Sequence, residues 1–152
     1  NDSANAPGRF NVMDYRGATI IADYGHNPDA IRALVQAVDA MPGNKRSVVI
    51  SGAGDRRDQD IIEQTRILGA AFDEVILYQD ACQRGRADGE VLALLRQGLE
   101  GAPRTRYSTE IHGEFAAIDH ALERLAPGDL CLVLVDQVEE ALAHLQQRIA
   151  SV

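Results

Sequence analysis

The sequence predicts an α/β domain built on a doubly wound, mostly parallel sheet of about six strands, with an N-terminal β-hairpin at its edge. Three observations predict it. Short apolar runs at residues 18–22, 47–50, 75–78 and 130–135 alternate with segments whose apolar positions recur at helical spacing. The later runs are continuously apolar, as suits strands covered on both faces. Turn-forming residues such as Arg16-Gly17, Pro42-Gly43 and Pro127-Gly128 punctuate the junctions. Alternation of this kind implies right-handed crossovers and helices on both faces of the sheet.

The elements follow in order. Residues 1–6 are small and polar and read as a linker or the cut edge of a longer chain, so the domain is placed at 8–152. Residues 10–15 alternate apolar and polar and pair through Arg16-Gly17 with 18–22 as a hairpin. Ile31, Leu34, Val35 and Val38 mark a helix from Asp29 to Met41, ended by Pro42-Gly43. After the strand at 47–50, a helix over about 60–72 carries Ile61, Ile62, Ile67 and Leu68. The strand at 75–78 leads to a helix over about 88–97 with Val91, Leu92, Leu94 and Leu95 inward. A weak strand is expected at 105–107, then a helix at 114–125 with Phe115, Ile118, Leu122 and Leu125 inward. Leu130 to Val135 is the strongest strand, and a helix over about 138–149 closes the chain.

Composition excludes several functions. The formal charge of −8 argues against binding a nucleic-acid backbone. No apolar run is long enough to span a bilayer and no signal peptide is visible. Two unspaced cysteines, Cys82 and Cys131, supply neither a zinc site nor a disulfide framework, and a reducing cytoplasm is the default expectation.

In an open α/β sheet, ligands bind at the carboxyl ends of the strands. That edge gathers the loops 23–28, 51–58, 79–86 and 136–137, three of them rich in charge. In Asp23-Tyr24-Gly25-His26-Asn27-Pro28, a good strand-to-helix turn explains Gly25, the N-cap Asn27 and Pro28. It does not require Asp23, Tyr24 or His26. Asp23 at a strand end can accept two ribose hydroxyls, or cap the helix, or pair with an arginine. His26 can donate to a phosphate or a ribose. The loop from Ser51 to Asp58 lacks a Walker motif, and Arg57 stands where the third glycine of G-x-G-x-x-G would be. Arg56 and Arg57 instead suit bidentate capture of a carboxylate, unless neighbouring aspartates neutralise them. Asp80, Arg84 and Arg86 can bind both ends of an amino acid or form a surface ion-pair cluster. No catalytic acid, base or nucleophile and no metal-ligand set stands out.

Several stretches carry a resemblance. Asp23-Tyr24-Gly25-His26-Asn27-Pro28, with Gly8-Arg9-Phe10 upstream, resembles the opening of the C-terminal domain of the Mur ligase superfamily. The run from Gly54 to Ile61, with Arg84-Gly85-Arg86 and Pro127-Gly128-Asp129-Leu130, is most similar to the cyanophycin synthetase branch.

The resemblance implies one domain of an ATP-dependent ligase. There a carboxylate is phosphorylated by ATP, and an amine attacks the acyl phosphate. In the cyanophycin synthetases the amine is that of arginine, added to aspartate side chains. Carried over by motif, Arg9 faces the phosphates, Asp23 the ribose, and Tyr24, His26 and Asn27 the nucleotide side of the cleft. Arg56 and Arg57 lie toward the amino-acid carboxylate, and Asp80 meets a cationic side chain. ATP and Mg would be held mainly by a central ATPase domain that this chain lacks, so alone it is expected not to turn over. That central domain, the incoming amino acid and a carboxylate acceptor are the implied partners, with homo-oligomerisation of the complete protein left open. Two alternatives stand beside this reading. One is another Mur-type or folylpolyglutamate-type ligase domain, the other a non-catalytic Rossmann-like nucleotide-sensing module.

Overall fold

A two-residue turn opens the sheet. Arg16 and Gly17 both take positive φ, 51° and 85°, the mirror-image geometry whose twist matches paired strands. It joins β1 (Asn11–Tyr15) to β2 (Ala18–Asp23), antiparallel with Met13 opposite Ile20. The computed structural model describes residues 8–52, 57–79, 87 and 89–151. The chain continues through α1 (Pro28–Asp39), β3 (Arg46–Ile50), α2 (Asp58–Gly69), β4 (Glu74–Gln79) and α3 (Glu90–Gly98). It ends with β5 (Tyr107–His112), α4 (Glu114–Glu123), β6 (Leu130–Leu134) and α5 (Val138–Ala150).

The six strands lie in the order β1-β2-β6-β3-β4-β5, and every pair but the first is parallel. From β2 the chain steps outward to β3, β4 and β5, then returns through α4 and inserts β6 between β2 and β3. The strands flanking β6 therefore begin the chain's outward path, and the β2 and β3 carboxyl ends stand on either side of it.

Helices cover both faces. Ile31 and Leu34 of α1, Ile61 and Leu68 of α2, and Leu92 and Leu95 of α3 pack on one face against Ile21, Val48, Ile50, Leu77 and Leu132. On the other face, Ile118 and Leu122 of α4 and Leu145 of α5 pack against Ile20, Val49, Ile76 and Val133. Each such side chain removed from water contributes about 1.5–3 kcal/mol before the entropy of ordering it is counted. A sheet buried on both sides explains the unbroken apolar runs of β4 and β6.

Four expectations are adjusted. The weak strand expected at 105–107 is β5, longer and further along. As an edge strand paired only to β4, it carries half-buried residues such as Tyr107, Thr109 and Ile111 and lacks an apolar run. Helix α3 starts at Glu90 because Gly89, at φ 82°, breaks the helical path just before it. Helix α2 runs from Asp58 to Gly69, earlier at both ends, with Asp58 and Asp60 favourably placed in its first turn. Phe115 is not inward: it is 37% exposed and stacks on His144 at 4.8 Å between ring centres.

Candidate functional site

At the β2–α1 junction the local chemistry closes on itself. Asn27 adopts extended φ and ψ, and its Oδ1 accepts from the Ala30 amide at 2.9 Å, while Pro28 occupies the first turn. This N-cap is worth about 1 kcal/mol. Asp23, at the end of β2, accepts from the Phe10 amide through Oδ2 at 2.8 Å. The Tyr24 amide donates to the Gly8 carbonyl at 2.8 Å, and the Gly8 amide donates to Asn11 Oδ1 at 2.7 Å. The segment that carries Arg9 is thereby pinned against the loop after β2. Gly8 itself needs to be glycine: φ is 81°, and a Cβ would stand 2.8 Å from a Val138 methyl.

His26 is buried, and its Nδ1 lies 2.9 Å from the Tyr24 carbonyl. A carbonyl oxygen only accepts, so Nδ1 carries a proton. The Tyr24 ring is 46% exposed and tilts against His26 at 4.6 Å between ring centres. Arg9, Asp23, Tyr24, His26 and Asn27 all line one open cleft of about 520 Å³. Its remaining wall is apolar: Phe10, and Ala30, Ala33, Leu34 and Ala37 of α1. A carboxylate, an exposed aromatic ring and an apolar floor, with an exposed arginine on the same cleft, fit a nucleoside phosphate. The carboxylate suits a diol, the apolar wall a base, and the guanidinium a phosphate.

The second loop follows β3. Ser51 and Gly52 are buried, and a Cβ on Gly52 would stand 3.0 Å from Val91 and 3.1 Å from Ile61, so the backbone approaches both helices closely. Arg57, the N-cap residue of α2, is exposed and holds Asp60 through Nε and Nη2, both at 3.2 Å. Capture of a substrate carboxylate by Arg57 requires exchange of that partner. Arg56, Asp80, Arg84, Arg86 and Cys82 lie outside the described residues. Among the described residues there is no cluster of three or more metal-ligating side chains, and no helix is long and apolar enough to cross a membrane.

The fourth loop, after β6, is held by a residue the sequence reading passed over. Glu114 is buried, and its two carboxylate oxygens accept from the Asp136 and Gln137 amides at 2.8 and 3.2 Å. Burial pushes its carboxyl above the usual 4.5, outweighing these lowering hydrogen bonds. A carboxyl raised in this way gives stability that is fully present below its ordinary value and lost as pH rises through the folded one. Glu114→Gln keeps one carbonyl acceptor and cannot ionise. The stability of the native protein minus that of the variant should therefore be largest below pH 4.5 and shrink above it. Denaturant midpoints of both proteins across pH check this, and a difference that grows with pH contradicts it. Asp73 and Asp119 act oppositely. Burial raises both, but hydrogen bonds and charge from Arg104 and Arg46, and from Arg148 and His144, outweigh it and lower them. Their contribution cancels in the difference.

Two of the remaining histidines pack against neighbouring side chains and the third lies at the surface. His120 stacks on Tyr107 and meets its hydroxyl at 3.1 Å, His144 meets Asp119 at 2.8 Å, and His112 is the exposed last residue of β5.

A family model described as Mur ligase, glutamate ligase domain, matches residues 8–135. The chain belongs to this Mur ligase family. The match begins at the Gly8-Arg9 segment and takes in all six strands, ending before α5. Among curated relatives, the cyanophycin synthetase of Synechocystis sp. is 34% identical over 143 residues, 93% of this chain and 16% of that protein. That of Crocosphaera subtropica is 32% identical over 147 residues, 96% of this chain and 17% of that protein. The chain spans about a sixth of the length of these relatives. The fold is that of UDP-N-acetylmuramoyl-L-alanyl-D-glutamate–2,6-diaminopimelate ligase, with a TM-score of 0.76 at 24% identity over 95% of this chain and 32% of that one.

Proposed function

We propose that this chain is the amino-acid-presenting and ATP-closing domain of an ATP-dependent amide ligase, most like cyanophycin synthetase, which adds arginine to aspartate side chains. The observation that carries the reading is the convergence of Arg9, Asp23, Tyr24, His26 and Asn27 on one cleft at the carboxyl edge of the sheet. Family membership and the cyanophycin synthetase relatives support the ligase class.

In this reading Asp23 takes the ribose through its Oδ1, since Oδ2 is engaged by the Phe10 amide. Arg9 meets the phosphates, and Tyr24, His26 and Asn27 complete the nucleotide wall. Arg57, with Arg56, takes the carboxylate of the incoming amino acid, and Asp80, with Arg84 and Arg86, its side-chain end. ATP transfers its γ-phosphoryl group to the acceptor carboxylate and leaves as ADP. The amine then attacks the acyl carbon, phosphate departs, and the amine's proton passes to solvent or base. ATP and Mg are held mainly by a central ATPase domain, which is the partner this cleft closes upon, and the work is cytoplasmic.

The experiment uses the complete ligase that carries this domain, with ATP, Mg and a polyaspartate acceptor, across a panel of arginine, lysine, glutamate and diaminopimelate. ADP release should require the amino acid and equal the amide formed, with arginine giving the highest kcat/KM. Amino-acid-independent nucleotide binding without turnover would instead make this a sensing module. Highest kcat/KM with glutamate would move it to the folylpolyglutamate-type ligases.

A further inference from the structure

Gln64 is fully buried in the stripe of α2 that also carries Ile61 and Leu68. Its Nε2 donates to the main-chain carbonyl of His26 at 2.7 Å, across 38 positions of sequence. Its Oε1 is buried and has no hydrogen-bond donor among the described residues. An aliphatic side chain would fill this position but would take the donor from the His26 carbonyl, so packing alone does not explain the amide. What the amide does secure is the backbone of the loop after β2, at the residue whose ring touches Tyr24.

The placement of Gln64 joins two loops. The loop that holds Asp23, Tyr24 and His26 opens α1, and Arg57 opens α2. Gln64 stands about two turns along α2 from Arg57. A second link between α1 and α2 runs over the surface, where Arg32 reaches Asp29 at 3.0 Å and Glu63 at 3.1 Å. Those groups are solvated, so the link is weak and screened by salt. The Gln64 to His26 bond is shielded from water and directional.

We propose that Gln64 is a positioning residue that fixes the nucleotide-side loop to the amino-acid-side helix, so that the two subsites keep one relative placement. This rests on the function proposed above. It makes Gln64 matter to both substrates although it touches neither.

The test is Gln64→Met and Gln64→Leu in the complete ligase, beside Asp23→Asn, with thermal melts and steady-state kinetics in which ATP and the amino acid are varied in turn. Both Gln64 variants should melt within about 2 °C of the native protein, because relief of the buried Oε1 offsets loss of the bond to the His26 carbonyl. Each should raise KM for ATP and for the amino acid at least about threefold, with kcat within about twofold. A residue that only packs would move Tm and leave both KM values alone. Both KM values within about twofold of native, with Asp23→Asn still impaired, overturn this inference and leave the proposed function standing. Failure of both Gln64 variants to fold also overturns it, since Gln64 would then be a structural residue. No effect of Asp23→Asn on ATP kinetics overturns the underlying reading and this inference with it.

Discussion

Gly98→Ala is expected to destabilise the domain by about 3 kcal/mol and to lower Tm by roughly 6–12 °C. Gly98 ends α3 where that helix lies against α2. A Cβ there would fall inside contact distance of the Ile62 carbonyl and of Thr65 Oγ1, and would stand 3.1 Å from the Arg66 amide. Two of these neighbours are backbone and cannot rotate away. The third is committed, because Thr65 Oγ1 donates to the Leu95 carbonyl at 2.6 Å. Relief therefore requires α2 and α3 to separate, which opens the packing of Ile61, Leu68, Val91 and Leu95. Gly101→Ala is the control: nothing stands within 4 Å of a Cβ there, and only its φ of 70° opposes the change, at about 1 kcal/mol. Thermal melts of the two variants check the contrast. Equal shifts would mean that α2 and α3 do not approach at Gly98 as described.

Much of the fold was legible because its signals are local. Strands covered on both faces are apolar through their middles, so β3, β4 and β6 stand out, and helices on such a sheet must carry an apolar stripe. Strand β5 was legible only as a weak strand at 105–107, because an edge strand has one neighbour and keeps polar residues such as Ser108, Glu110 and His112. The N-cap Asn27 and Pro28 were legible for the same local reason. What the sequence could not show is which distant group answers each polar side chain. The Phe10 amide reaches Asp23 across 13 positions, Gln64 reaches His26 across 38, and Glu114 reaches residues 22 and 23 further on. A signal for Gln64 did exist: it is a polar residue on the inward stripe between Ile61 and Leu68. Glu114, directly after Gly113 at a helix start, reads as an ordinary favourable charge, and nothing local marks it as the anchor of the loop after β6.

Asp23→Asn should lower kcat/KM for ATP about 10- to 150-fold in the complete ligase, the equivalent of one charge-assisted hydrogen bond of roughly 1.5–3 kcal/mol. The structure shows why asparagine is the cleaner probe. Asp23 has two tasks, since Oδ2 holds the Phe10 amide while the group lines the cleft. Alanine would remove both and release the Arg9 segment as well. Asparagine keeps a carbonyl oxygen for Phe10 and removes the charge that favours two hydroxyl donors. Its Tm should stay within about 2 °C of native, whereas Asp23→Ala should lose about 1 kcal/mol with the hydrogen bond from the Phe10 amide.

The decisive measurement is steady-state kinetics of Asp23→Asn with ATP and the amino acid varied in turn, beside a thermal melt. A nucleotide wall at Asp23 predicts a raised KM for ATP, an amino-acid KM within about twofold of native, and an unchanged melt. Native ATP kinetics in Asp23→Asn, with Asp23→Ala merely less stable, would show that Asp23 only anchors Phe10, and would contradict the assignment of this cleft to the nucleotide.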